Sequence, residues 1–181
     1  MEDLQSTSFS PIINDPVEST SGLTINDLNK YLPALQTVDD IIMNVDSMKE
    51  GIFWTEGLKG LKKIPEKSID LIITEPPKEP WINLDDRAEQ LTLQEFYDWN
   101  HEWLLEANRV LKNTGGIYLL CDWSRSNMYN GLLNEKFIIQ NRITWYNRLA
   151  KNNNQNLTWK NQSGDIWFAT KNEDFLFNNN A

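Results

Sequence analysis

Glu75-Pro76-Pro77-Lys78 follows directly on an apolar, β-branched run, Ser68-Ile69-Asp70-Leu71-Ile72-Ile73-Thr74. An acid that closes a buried strand sits at the carboxyl edge of its sheet, where open α/β folds bind ligands. Consecutive prolines fix φ, so the carbonyls around them point in set directions. Such a loop can accept hydrogen bonds from an exocyclic amine. The same spacing also suits a rigid strand-to-helix turn with a solvated acid, and spacing does not separate the two. Trp81 and Trp145 are candidates for stacking on a base, and each equally suits an aromatic core. A second set lies further on: residues 136–171 carry six bases against the single acid Asp165, interleaved with Asn, Gln, Trp and Tyr. Arg142, Arg148, Lys151 and Lys160 are its candidate phosphate contacts. A solvated polar face would look the same.

The elements that must position these residues alternate in type. Residues 24–32 fit a short helix opened by Thr24, and Val38, Ile41, Ile42 and Val45 recur at helical spacing. Ile52-Phe53-Trp54 is a short apolar run. Leu58, Leu61 and Ile64 form a helical face closed by Pro65. Residues 68–74 predict a buried parallel strand. Phe96, Trp99, Trp103, Leu104, Ala107, Val110 and Leu111 share one stripe of a long helix over 92–112, ended by Gly115-Gly116. Ile117 to Cys121 predicts a second buried strand, Ser124 to Glu135 a short helix, and Phe137–Tyr146 and Asp165–Thr170 two further strands. This alternation predicts an α/β sheet. Asp122 either reaches the ligand edge or caps the helix at Ser124. His101 falls one position off the apolar stripe, and Cys121 reads as a small buried side chain.

Composition narrows the classes. The chain has 181 residues, with one Cys, one His and eight Trp. A single cysteine excludes an internal disulfide, and one histidine argues against a multi-histidine metal centre or His-centred catalysis. No apolar stretch predicts a membrane span, and no secretory leader is visible, so an intracellular location is expected, cytoplasm or nucleoid, or the nucleus of a eukaryote. The net charge of −9 is unevenly spread: −7 over residues 1–50, −5 over 51–135 and +5 over 136–171. Residues 1–35 read as an acidic, Ser/Thr-rich tail that is partly disordered, and 36–181 as one α/β domain.

The stretch Ile64-Pro65-Glu66-Lys67-Ser68-Ile69-Asp70-Leu71-Ile72-Ile73-Thr74-Glu75-Pro76-Pro77 resembles the amino-methylating DNA methyltransferases, which act on adenine N6 or cytosine N4. The resemblance continues through Glu102 to Lys112, Gly115 to Leu119, Asn141 to Tyr146 and Ile166 to Lys171, so it spans about residues 51 to 171. It implies a partial Rossmann-like methyltransferase sheet, mostly parallel, with helices on both faces. It implies that Glu75, Pro76, Pro77 and Lys78 occupy the catalytic loop, which in the family reads Asp/Asn/Ser-Pro-Pro-aromatic. Here Glu75 is one methylene longer than the family's Asp, and Lys78 replaces the aromatic that stacks on a flipped base. The Gly-rich turn that receives S-adenosylmethionine in the family has no counterpart in the sequence.

These departures predict a DNA methyltransferase-like subunit that is inactive alone. It would bind no cofactor by itself, and S-adenosylmethionine only where a partner supplies the site. It would act as a scaffold or DNA-facing partner within a restriction-modification type of system. The expected partners are a companion methyltransferase-like subunit or a second copy, and DNA. An active split methyltransferase subunit that supplies the catalytic loop is the alternative reading, and a truncated non-enzymatic relic is another.

Overall fold

A computed structural model describes residues 25–41, 44–47, 51–78, 81–84, 87–146 and 163–178, with the backbone alone given for 25, 27, 28, 34, 47, 81–84 and 87–90. In chain order the elements are α1 (Ile25–Tyr31), β1 (Leu35–Gln36), β2 (Ile52–Phe53), α2 (Gly57–Lys63), β3 (Ile69–Thr74), β4 (Trp81–Leu84), β5 (Arg87–Gln90), α3 (Leu93–Val110), β6 (Leu111–Asp122), α4 (Trp123–Asn134), β7 (Ile138–Tyr146) and β8 (Ser163–Thr170). The central sheet runs β3-β6-β8-β7, while β1-β2 and β4-β5 form two separate ribbons.

Local chemistry explains the helices. Glu56 caps α2, its carboxylate accepting from the Leu58 and Lys59 amides. Pro65 limits the far end, where Arg109 donates to the Leu61 and Ile64 carbonyls at 2.9 and 2.8 Å. Thr92 and Glu95 form a reciprocal capping box at the start of α3. Its stripe Phe96, Trp103, Leu104, Ala107 and Val110 is buried. Asn100 lies on that stripe and is fully buried. Its amide is satisfied by Phe96 O, Trp103 Nε1 and Tyr129 Oη, as a buried polar group requires. Lys171 Nζ donates to the carbonyl of Asn108, which the end of α3 leaves without a helical partner, and to that of Leu111 just beyond the helix.

The expected helix stop at Gly115-Gly116 is corrected: α3 ends at Val110, and Leu111 already begins β6. The two glycines serve close strand packing instead. A Cβ on Gly115 would stand 3.0 Å from Asp70 O, and one on Gly116 would stand 3.2 Å from Ala169 O. The register slips here, from Ile69 opposite Leu111 to Leu71 opposite Gly116, so β6 bulges between them. The helical spacing at 38–45 also misleads. The described residues there form short 3-10 turns at Val38–Asp40 and Val45–Ser47, the first closed by mutual hydrogen bonds between Thr37 and Asp40.

The sheet is mixed. β3 and β6 are parallel, whereas β8 runs antiparallel to both β6 and β7. β3, β6 and β7 therefore run in one direction with β8 reversed between β6 and β7, so the sheet is mostly parallel, as expected, but mixed. Among the described residues α2, α3 and α4 all pack on one face of it. Trp103, Leu104 and Ala107 of α3 and Tyr129, Leu132 and Leu133 of α4 pack on Ile117, Leu119, Trp167 and Ala169, joined by Leu58 and Leu61 of α2. The opposite face presents Leu71, Ile73, Tyr118 and Phe168. Phe175 and Phe177, from the segment after β8, cover it partly, with ring centres 5.8 and 5.9 Å from that of Phe168.

β3 is a further correction. Its composition predicts burial on both faces, but its only strand neighbour among the described residues is β6. Leu71 and Ile73 are 48% and 68% exposed.

Candidate active-site edge

β3 and β6 run side by side until Thr74 stands opposite Leu119. β3 then gives way to Glu75-Pro76-Pro77-Lys78, while β6 continues to Asp122. The loop thus lies against the end of β6 and the start of α4. Pro76 is buried, and Glu75, Pro77 and Lys78 are exposed. Arg125 Nε donates to Lys78 O at 3.2 Å. The Arg125 guanidinium also lies 5.5 Å over the Phe96 ring, a cation–π contact that ties the loop to α3 and α4 together. The backbone of the Pro-Pro loop is therefore held at both ends, by β3 and by Arg125, while its acid and its lysine are open to solvent.

Asp122 resolves to a cap, its carboxylate accepting from Ser124 N at 2.9 Å. Trp123, the first residue of α4, is 56% exposed at this edge. Sequence reasoning misses Arg125 and Trp123. The readable signal is the strand-to-helix junction at Asp122, which puts the first turn of α4 beside any loop that follows β3.

On the far side of β6 from β3, a polar network spans β8 and β7. Asp165, opposite Cys121 in the sheet, has a side chain only 2% exposed. Arg142 donates to one carboxylate oxygen at 2.9 Å and Thr144 to the other at 2.7 Å. Burial pushes the Asp165 carboxyl up, but hydrogen bonds from Arg142, Ser126 and Thr144 and the Arg142 charge outweigh it. The group is held below its ordinary value. Arg142 lies 5.7 Å over the Trp167 ring, and Trp167 Nε1 donates to Ser126 Oγ at 3.1 Å. Burial, then the neighbouring Asp165 charge, pushes the Cys121 thiol up to about 11, so it is an inert packing group.

The structure sorts the sequence candidates. Glu75, Pro76, Pro77 and Lys78 form one loop at the carboxyl edge. Arg142 reaches the same edge, engaged by Asp165 but with its side chain 53% exposed. Trp145, on β7, packs against Gly164, where a Cβ would meet the indole ring; its outer part is exposed. Trp81 opens β4, where the backbone alone is described. Arg148, Lys151, Lys160 and the cap Thr24 lie outside the described residues. His101 pairs with Glu135 at 3.0 Å, rather than standing free in solvent.

No group of His, Cys, Asp and Glu among the described residues is placed to hold a metal. No described helix is long and apolar enough to cross a membrane. The described glycines do not form a cofactor cradle either. Gly115 and Gly116 abut strand backbone, the indole of Trp145 lies over Gly164, and no described glycine has positive φ. These residues do not fit S-adenosylmethionine by the glycine-turn route.

The fold and the loop at this edge together define a DNA amino-methyltransferase type of domain. The family model described as DNA methylase, of the N6/N4 group, matches residues 69–181, so the chain belongs to the DNA methylase family. It is 34% identical over 90 residues to the DNA adenine methyltransferase YhdJ of Escherichia coli, a match covering 50% of this chain and 31% of YhdJ. Among solved structures it resembles the cytosine-N4-specific PvuII DNA methyltransferase, at 19% identity and TM-score 0.55, covering 78% of this chain and 52% of that one. It also resembles a DNA modification methylase-type protein of Thermus thermophilus solved with S-adenosyl-L-methionine, at 16% identity and TM-score 0.50, covering 69% of this chain and 54% of that one. The chain thus spans about a third of its curated relative and about half of these solved structures.

Proposed function

We propose that this chain is a DNA methylase-family subunit whose Pro-Pro loop and adjoining edge face DNA, and that it does not transfer a methyl group by itself. The observation that carries this is Lys78. It is exposed at the loop position where the family has a stacking aromatic, while the loop backbone around it is still fixed by Arg125. A lysine offers no plane to a base, and a base–aromatic stack is worth about 1–3 kcal/mol. Glu75 adds a methylene between backbone and carboxylate, which displaces the acceptor oxygens. Misplacement by about 1 Å can cost a reaction about 10²-fold. The half-exposed Arg142 guanidinium, with Trp123 and Trp145 at the same end of the sheet, suits a polyanion carrying bases.

The test is incorporation of radiolabelled methyl from S-adenosylmethionine into duplex DNA by the purified chain. We expect none above background, and calorimetric titration of the chain with S-adenosylmethionine should give no micromolar binding. Methyl incorporation by the chain alone would overturn the reading. DNA binding, followed by fluorescence anisotropy, should weaken steeply with salt, with a log–log slope of roughly −0.9 per neutralised phosphate. Replacing Arg142, Arg148, Lys151 and Lys160 with Ala should abolish it. The preserved loop backbone favours a second reading, a split enzyme in which this chain supplies the catalytic loop. Activity appearing only with a cofactor-binding companion, and rising in Glu75→Asp/Lys78→Tyr, would support that reading.

A further inference from the structure

We propose that Trp123 and Arg142 form a subsite for an unpaired nucleotide of single-stranded DNA, the indole offering its plane to the base and the guanidinium its open N–H groups to the phosphate. This rests on the reading of the edge as DNA-facing, and it names the form of DNA that the edge prefers.

The subsite stands between two anchors. Trp123 opens α4, directly after the Asp122 cap. Two residues on, Arg125 holds Lys78 O of the Pro-Pro loop. Three residues on, the buried Ser126 accepts from the Trp167 indole. Trp167 in turn carries the Arg142 guanidinium 5.7 Å from its ring centre. Side chains three apart on a helix share a side, with Cβ atoms about 5–6 Å apart, and each leans toward the helix N-terminus. Trp123 thus lies one turn beyond Ser126 toward the carboxyl edge, with the loop on one side and the β8–β7 network on the other.

Both groups are available to a ligand. Trp123 is 56% exposed, and among the described residues no ring or cation stacks on it. Trp145 differs, because Gly164 already lies against its indole. The Arg142 side chain is 53% exposed. Its side-chain hydrogen bond among the described residues goes to Asp165, and a guanidinium has further N–H donors. Asp165 is the positioning residue. It is buried, and its other oxygen is taken by Thr144, so it fixes where the guanidinium stands without facing the DNA itself. Lys78 is a second exposed cation at the edge, and Glu75 is the exposed acid beside it.

The preference for unpaired DNA follows from the plane. Inside a duplex each base is covered above and below by its neighbours, so an indole finds no free face. An unpaired base offers one, and such a stack is worth about tenfold or more in affinity. Arg142 does not discriminate, since both forms carry phosphates. Trp123 therefore sets the preference.

The test is fluorescence anisotropy of the purified full chain with a short fluorescein-labelled single strand and with the same sequence as a blunt duplex. The chain should bind the single strand about tenfold more tightly than the duplex. Trp123→Ala, at an exposed position and with its fold checked by circular dichroism, should remove that preference. Trp123→Phe keeps a ring and should retain most of it. Arg142→Ala should instead weaken both forms and reduce the salt slope on the single strand by about 0.7. Equal binding of the two forms by the unaltered chain, a preference that survives Trp123→Ala, or a Phe variant no better than the Ala variant would each overturn the proposal. Calorimetric binding of S-adenosylmethionine that Trp123→Ala abolishes would assign the indole to the cofactor's adenine and overturn it too. Absence of binding to either form of DNA would overturn the DNA-facing reading itself, so the two failures are read apart.

Discussion

Trp167 and Phe168 are consecutive residues of β8, and they live in different surroundings. Trp167 points into the helical layer, where its indole donates to Ser126 and its ring carries the Arg142 guanidinium. Phe168 points to the other face and is covered by Tyr118 and by two aromatics from the strap after β8. Both are 8% exposed, yet one is enclosed by secondary structure and the other by an irregular segment. Other residues of the two faces differ in exposure as well. Ile117, Leu119 and Ala169 on the helical side are fully buried, while Leu71 and Ile73 on the other are largely open. The lesson is that apolar composition alone does not tell a buried face from an exposed one.

Four measurements would sharpen or break that contrast. The largest effect is expected from Leu119→Ala, which empties a fully buried site on the helical face. It should lower unfolding free energy by about 2–5 kcal/mol in denaturant melts. Ile73→Ala, on the open face, should change it by no more than about 0.5 kcal/mol; equal losses at the two positions would abolish the distinction.

Next comes Asp165→Asn. It removes the charge that Arg142, Thr144 and Ser126 surround, and because Arg142 can rehydrate, the loss should be about 1–3 kcal/mol. The sign with pH follows from the depressed carboxyl. Its contribution is present above the unfolded-state value, about 4. It is lost as pH falls through the lower folded-state value. The gap between wild type and Asp165→Asn should therefore close in acid and stay constant from pH 5 to 7. A gap that widens on acidification would contradict the network.

Arg125→Met should cost less, about 0.5–1.5 kcal/mol for one hydrogen bond. It should be felt at the loop rather than globally, as faster amide exchange around Lys78 with helices α3 and α4 unchanged. The smallest effect concerns Cys121, on the helical face. With the thiol at about 11, alkylation by iodoacetamide at pH 8 should be negligible in the native chain and complete after unfolding. Rapid native labelling would show that this face opens.

Much of this was legible in the sequence, and particular residues show why. Thr92 and the stripe Phe96, Trp103, Leu104, Ala107 and Val110 marked α3, because helical periodicity is a local property. Pro65 and the run 69–74 marked the end of α2 and the existence of β3 for the same reason. Glu75-Pro76-Pro77-Lys78 could be placed at a carboxyl edge because its position follows from the strand before it. The helical spacing at 38–45 failed because four apolar residues do not outweigh the turn made by Thr37 and Asp40.

What the sequence by itself determined, then, is the order and kind of elements, the family, and the loop that departs from it at Glu75 and Lys78. Tertiary structure alone decided the rest. It made Gly115-Gly116 a point of close strand contact rather than a helix stop, since β3 and β8 approach from either side and leave little room for a Cβ there. It brought Arg125 to Lys78 O across 47 positions of chain and Arg142 to Asp165 across 23. Among the described residues it gave β3 a strand neighbour on one side only and left Ile73 exposed. The run Ile69-Asp70-Leu71-Ile72-Ile73 reads as buried on both sides, but burial is set by which neighbours arrive in space, and a strand's own residues do not specify them.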